Sequence, residues 1–117
     1  MKTMEIIELN ETTDAIAFGT EVVLKGFFVM DGQDGYFVES DAKIREKNHA
    51  VLVRHGDLKK KLLSSVPAFG GGEYLYGDQA EITGILSKSS DGRFLCEITD
   101  VREFLIFKHD QTMSVRL

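Results

Sequence analysis

From Glu21 onward short runs of apolar residues, separated by polar turns, predict β-strands, and in QAEITGILSKS the apolar Ala80, Ile82 and Leu86 alternate with polar residues. The first strand is EVVLKGFFVMD, rich in the β-branched and aromatic residues that pleated strands favour. The loop DGQDG carries two Asp-Gly turn signals and joins this strand to GYFVES in a hairpin. A polar link, DAKIREKNH, leads to a third strand, AVLVRH. Two further strands are predicted at QAEITGILSKS and RFLCEITDVREFLIF, joined by the turn SSDG, and the last of these allows one break.

The segment GDLKKKLLSSVP is the one strong helix prediction. Its apolar residues recur at the spacing of one helix face: Leu58, Leu62, Leu63 and Val66. Asp57 precedes them as a plausible N-cap, and Pro67 biases Val66 away from helical geometry, which ends the helix. Near the N-terminus, TTDAIAFG is compatible with one helical turn that ends at Gly19. The predicted order is therefore three strands, one helix and two strands.

Two of the long strands carry a central glycine, Gly26 in the first and Gly84 in the fourth. Such glycines mark a bulge or bend and let a small sheet curl and close. With these glycines, VVLKGFFVMDGQDGYFVES and AEITGILSKSSDGRFLCEITDV resemble the hairpins of the OB-fold, a five-stranded Greek-key barrel with a helix between strands three and four. We therefore expect an all-β protein with a single OB-like domain over residues 1–117. Its N-terminal segment would span 1–19, its barrel 20–107 and its C-terminal tail 108–117.

OB-folds bind oligonucleotides, oligosaccharides or proteins on the face of their second and third strands. Carried onto this chain, the resemblance implies a binding face with Phe27, Tyr36, Val38 and Arg54, bordered by loops 31–35 and 87–93. Adjacent aromatic pairs, Phe27 with Phe28 and Tyr36 with Phe37, must split between the two faces of a strand. We expect Phe27 and Tyr36 to face outward, where bases can stack on them. The alternative is that most of these rings fill the core.

The net charge of −5 lowers the expectation of a dedicated nucleic-acid binder, which usually has a basic face. The resemblance places three basic residues near the binding groove: Arg54, Lys88 and Arg93. They would share this rim with the acidic DGQDG loop, and mixed charge of this kind is commoner at protein interfaces. The run of lysines at 59–61 is expected to form the solvated face of the helix.

The stretch VPAFGGGEYLYGDQA, residues 66–80, has the glycine content of a phosphate-binding loop. Its glycines follow a helix and precede a strand, so no helix N-terminus points at an anion there. It also lacks the Gly-Lys-Ser/Thr ending of a P-loop and carries Glu73 and Asp78. Two interpretations remain, a helix-to-strand connection and a contact surface for a protein. The candidate contact residues of that surface are Phe69, Tyr74 and Tyr76.

Nothing in the sequence indicates catalysis. The three histidines have no metal-ligand spacing, the single cysteine, Cys96, excludes an internal disulfide, and no nucleophile motif is present. We expect no catalytic residues, no metal and no cofactor. The start, MKTMEIIELNETTD, lacks the apolar run of a secretory signal and no stretch reaches transmembrane length, so we expect a cytoplasmic protein without membrane contact.

These observations favour a small binding module whose partner is another protein, with self-association as a further option. Small acidic bacterial proteins that bind and neutralise a partner, such as immunity proteins, fit this description. The alternative function is binding of single-stranded DNA or RNA through the OB face. Its residues would be Phe27, Tyr36, Arg54, Lys88 and Arg93.

Overall fold

A computed structural model describes residues 2–11, 16–66, 75–108 and 110–117. The strands and helices of these ranges are, in chain order, β1 (Lys2–Glu5), α1 (Ile6–Glu11), β2 (Glu21–Asp31), β3 (Asp34–Val38), β4 (Val51–Val53), α2 (Leu58–Ser65), β5 (Leu75–Ser87), β6 (Cys96–Lys108) and β7 (Gln111–Ser114). Two short 3-10 helices, Asp41–Lys43 and Lys47–His49, lie between β3 and β4.

Five strands close into a barrel. Their order around the barrel is β2, β3, β4, β6 and β5, and β5 pairs back onto β2. β4 and β6 run parallel, whereas the other neighbouring strands of the barrel run antiparallel. α2 lies in the chain between the third and fourth barrel strands. The predicted all-β barrel is therefore confirmed, and its strand order is compatible with an OB-like fold.

The two central glycines act differently. At Gly84 the register of β5 against β6 shifts, and a Cβ there would lie 2.7 Å from the carbonyl oxygen of Thr99. The predicted irregularity is confirmed, because only glycine allows the strands to approach this closely. At Gly26 the pairing of β2 with β5 continues without a shift. A Cβ on Gly26 would instead lie 2.6 Å from Cγ1 of Ile6, so this glycine makes room for α1.

Aromatic rings fill the barrel interior. Phe28 lies at their centre, with ring centroids 5.4 Å from Phe37, 4.9 Å from Phe104 and 6.1 Å from Tyr76. The rings of Phe28, Phe37 and Phe104 are fully buried. Edge-to-face and tilted contacts of this kind add to the free energy that apolar burial supplies.

The predicted helix is confirmed as α2, which buries Leu58 and Leu62 against the same core. Leu63 is 51% exposed, contrary to the pattern, because it lies about 140° around the helix axis from Leu58. Asp57 occupies the N-cap position, but its φ is 56° and its side chain makes no capping hydrogen bond. Val66 is extended and ends the helix as predicted.

Both terminal segments pack on the barrel. A helix that was not predicted forms at IIELNE, where Ile6 and Leu9 lie on one face and enter the core, and the described part of TTDAIAFG, residues 16–19, is not helical. Residues 12–15 of the predicted turn lie outside the described ranges. β1 adds a parallel strand beside β2. At the other end, β7 forms a hairpin with β6 and Val115 is buried.

Candidate functional site

The binding face was predicted on the second and third barrel strands, β3 and β4, and the chain itself covers the outside of these strands and of β2. A second apolar cluster, separate from the barrel interior, occupies this face: Val29, Tyr36, Val38, Ala50, Leu52 and Phe94. Phe27 and Ile44 pack against the cluster and are partly buried. The segment 39–50, which connects β3 to β4, supplies both Ile44 and Ala50.

Tyr36 is the central residue of this cluster. It points away from the barrel interior, as predicted, but it is fully buried and not exposed. Its hydroxyl group donates a 2.8 Å hydrogen bond to the carbonyl oxygen of Ile44, and its ring lies 5.5 Å from that of Phe94. Lys47 lies over the ring at 5.9 Å and binds Asp31 at 2.9 Å. A nucleic-acid base therefore cannot reach this ring without displacing the segment 39–50.

The covering segment is also anchored to α1. Asn10 donates a 3.1 Å hydrogen bond from its side chain to the carbonyl oxygen of His49. The ring Nδ1 of His49 lies 3.0 Å from Oδ1 of Asn10, which completes a two-bond contact. The segment 39–50 is thus held both by the barrel and by the N-terminal helix.

Arg93 joins the two loops that the OB resemblance places at the rim. Its guanidinium group lies 2.6 Å from Oδ2 of Asp91 in its own loop and 3.0 Å from Oδ2 of Asp34 in the β2–β3 hairpin. The side-chain hydrogen bond from Arg93 is the main reason why the pKa of Asp91 lies at about 2. The same contact, with a smaller contribution from Asp34, raises the pKa of Arg93 above its ordinary value. Both carboxylates thus already neutralise this predicted ligand-binding cation.

Arg54, like Arg93, is bound by other side chains of the protein. Its Nε lies 3.5 Å from Oε2 of Glu97, a buried carboxylate on β6, and its Nη2 lies 2.5 Å from the hydroxyl group of Ser90. Glu97 accepts two further hydrogen bonds from Ser90, at 2.9 Å from the main chain and 3.0 Å from the hydroxyl group. All three predicted rim cations are exposed. Lys88 differs from the other two because it makes no ion pair with a described residue.

A cleft of about 450 Å³ lies beside Arg54, between the β2–β3 hairpin and the start of α2. Its charged lining residues are Asp34, Arg54, Asp57 and Lys59. Two positive and two negative groups give this cleft a balanced charge. His55 also lines it, and partial burial followed by the charge of Lys61 lowers the pKa of His55. The rim is therefore of mixed charge, in line with the expectation from the sequence.

Of the three candidate contact residues in the stretch 66–80, one is described. Phe69 and Tyr74 lie outside the described ranges, and only Tyr76 is placed. It is a core residue and not a surface contact, because its hydroxyl group donates a 2.9 Å hydrogen bond to the buried carbonyl oxygen of Val66. Burial, and then the nearby Asp78, raises the pKa of Tyr76 to about 12. Lys108 lies over its ring at 5.7 Å and binds Asp78 at 2.7 Å.

A second cleft, of about 470 Å³, was not predicted from the sequence. It lies on the outer wall of the barrel. Its lining residues come from the β1–α1 junction, the middle of β2, the two residues that follow β3, the middle of β5 and the end of β6. Two exposed apolar side chains line it, Ile7 from α1 at 47% exposure and Phe107 from β6 at 37%. We call this surface the acidic cleft; its characteristic residues are Glu5, Ile7, Lys25, Glu39, Glu81 and Phe107.

Strand register aligns the charges of the acidic cleft. Glu5 on β1 lies opposite Lys25 on β2, and Lys25 lies opposite Glu81 on β5. Nζ of Lys25 is 3.2 Å from Oε1 of Glu81. With Glu39, the lining has three carboxylates and one ammonium group, a formal charge of −2. The parallel pairing of β1 with β2 brings Glu5 into this row, and period-two alternation carries no signal for that pairing.

The remaining candidate chemistry is limited. Within the described ranges no three His, Cys, Asp or Glu side chains are grouped so as to hold a metal ion. Cys96 is buried, and this burial, with the neighbouring Glu97, raises the pKa of its thiol to about 12. No helix in the described part of the chain is long and apolar enough to span a membrane.

Comparisons of the chain with models of known protein families, with curated proteins and with solved structures found no match. The chemistry of its surfaces is therefore the basis for assigning a function.

Proposed function

We propose that this chain is a non-catalytic binding module built on an OB-like barrel, and that its ligand is another protein. The acidic cleft is the observation that carries the proposal. It exposes Ile7 and Phe107 beside carboxylates in a cleft with a volume of about 470 Å³. Protein interfaces combine apolar and aromatic anchors with a polar, charged surround in this way.

The alternative, single-stranded nucleic-acid binding, has less support. It requires exposed rings for bases and available cations for phosphates. Tyr36 is buried, and the guanidinium groups of Arg54 and Arg93 are engaged with carboxylates. The net charge of −5 further opposes a polyanion. The OB-like strand order is the reason to include nucleic acid in the test.

A module of this kind acts by occupying a surface of its partner, either to neutralise that partner or to hold it in an assembly. Cys96, buried and not in a disulfide, is compatible with a reducing compartment such as the cytoplasm.

Affinity capture from the cells of origin tests the proposal. The tagged full chain is compared with Phe107→Ala and with the matched control Leu63→Ala, which removes an exposed apolar side chain on α2. We expect the wild type and Leu63→Ala to retain the same protein and Phe107→Ala to lose it.

In parallel, labelled single-stranded DNA and RNA are titrated by fluorescence anisotropy at two salt concentrations. We expect no binding at low salt. Tight, salt-sensitive binding that Arg54→Ala weakens would establish the nucleic-acid function instead.

A further inference from the structure

We infer that the acidic cleft binds a cationic segment of its partner, a stretch that carries Lys or Arg next to a large apolar side chain. This inference rests on the proposed protein-binding function and specifies the chemistry of the partner.

Charge complementarity selects a cationic occupant. Lys25 is paired with Glu81, so Glu5 and Glu39 account for the uncompensated charge of the cleft. Glu5 is exposed and makes no ion pair within the described ranges. Glu39 accepts only a long side-chain hydrogen bond, 3.4 Å from Asn10, among described residues. Two carboxylates with little internal compensation attract a Lys or Arg and repel an acidic segment.

The shape of the cleft selects an apolar anchor beside the charge. Gly26 and Ala80 are paired directly across β2 and β5 and both line the cleft. Ile6 of α1 already occupies the space beside Gly26, whereas the side chains of Ile7 and Phe107 are exposed in the cleft. The cleft volume of about 470 Å³ lies within the range of roughly 300–1,000 Å³ that ordinary ligand pockets have. A leucine or phenylalanine of the partner would contact Ile7 and Phe107 there.

A second copy of the chain is the competing occupant. The surface of α2 carries Lys59 and Lys60 next to the exposed Leu63, so the chain has a cationic, apolar surface of its own. Two copies, however, carry a net charge of −5 each, which opposes their association at low salt. We therefore assign the cleft to a different protein.

The first test uses a defined probe, a labelled peptide of alternating lysine and leucine, with a matched peptide of alternating glutamate and leucine. We expect the lysine peptide to bind at least tenfold more tightly, with an affinity that falls as salt rises. Glu5→Gln and Glu39→Gln should each weaken it by about fivefold, mainly through slower association. Glu103→Gln, an exposed carboxylate on β6 outside the cleft, is the matched control and should change nothing.

The second test places a photo-crosslinking residue at Gln79, an exposed position in the cleft, and sequences the partner peptide that is captured. A crosslinked segment with Lys or Arg beside an apolar residue supports the inference. A neutral or acidic segment overturns it while leaving the protein-binding function intact, whereas the absence of any retained protein contradicts the proposed function itself. Crosslinking to a second copy, abolished by Lys60→Glu, would also overturn the inference.

Discussion

The hydroxyl group of Tyr36 donates a 2.8 Å hydrogen bond to the main-chain carbonyl oxygen of Ile44. This bond ties the segment between β3 and β4 to the outer face of the barrel. The ring of Tyr36, which the sequence predicts as a stacking surface for bases, is therefore buried under the segment 39–50. The same relationship is open to a direct test.

Replacing Tyr36 with phenylalanine keeps the ring and removes this hydrogen bond. We expect a loss of about 1 kcal/mol in the free energy of unfolding, since the carbonyl oxygen of Ile44 loses its donor. Hydrogen exchange should become faster in the segment 39–50 but not in β5 or β6. Urea denaturation and exchange mass spectrometry measure the two effects, with Phe18→Leu as a surface control. Unchanged exchange in this segment would show that the bond does not hold it.

Gly84→Ala should destabilise the barrel by about 1–3 kcal/mol, because the new methyl group would overlap the carbonyl oxygen of Thr99. A main-chain atom cannot move aside as a flexible side chain can. The matched control is Gly56→Ala, where an added Cβ meets no atom within 4 Å. We expect that control to be neutral or slightly stabilising. Equal urea midpoints for the two variants would contradict the close approach at Gly84.

The ion pair between Lys108 and Asp78 is largely buried, with side-chain exposures of 7% and 18%. Lys108→Met should cost about 3 kcal/mol, since it leaves the carboxylate of Asp78 without its cation. The double variant Lys108→Met with Asp78→Leu should recover most of this loss. A double-mutant cycle in urea measures the coupling.

The exposed pair between Arg102 and Glu21 is the control for that cycle, and its coupling should stay below about 1 kcal/mol. If the two ion pairs have similar coupling energies, burial does not strengthen the pair between Lys108 and Asp78, contrary to this prediction.

Stability should fall as the pH rises above 9. Burial raises the pKa of Cys96 from 9.0 to about 12, and that of Tyr76 from 10.0 to about 12. The unfolded chain therefore releases these protons first, and the stabilisation present below pH 9 is lost progressively up to about pH 12. Urea midpoints measured at a series of alkaline pH values check this. Tyr76→Phe should show a shallower decline, although it starts about 1 kcal/mol lower because its hydrogen bond to Val66 is lost.

The same burial predicts that iodoacetamide leaves Cys96 unmodified in the folded protein at pH 8. Modification should follow once urea unfolds the chain, because the thiolate is the reactive form. Rapid alkylation of the folded protein would contradict the raised pKa and place the thiol at the surface.

Local pattern determined the main elements of the barrel. Side chains on a strand alternate between two faces, so the parity of apolar residues in β2 and β5 identified the strands and separated Phe28 from Phe27. Proline restricts the residue before it, so Pro67 located the end of α2 at Val66. These properties depend on residues close together in the chain, and sequence alone is sufficient for them.

Only the tertiary structure decided exposure and charge pairing. Tyr36 is buried because a segment without periodicity folds over it, and Tyr76 is buried because α2 ends beside it. The row formed by Glu5, Lys25 and Glu81 exists because strand register aligns residues that are far apart in the sequence. Exposure depends on what packs against a side chain from elsewhere in the chain, and no local pattern contains that information.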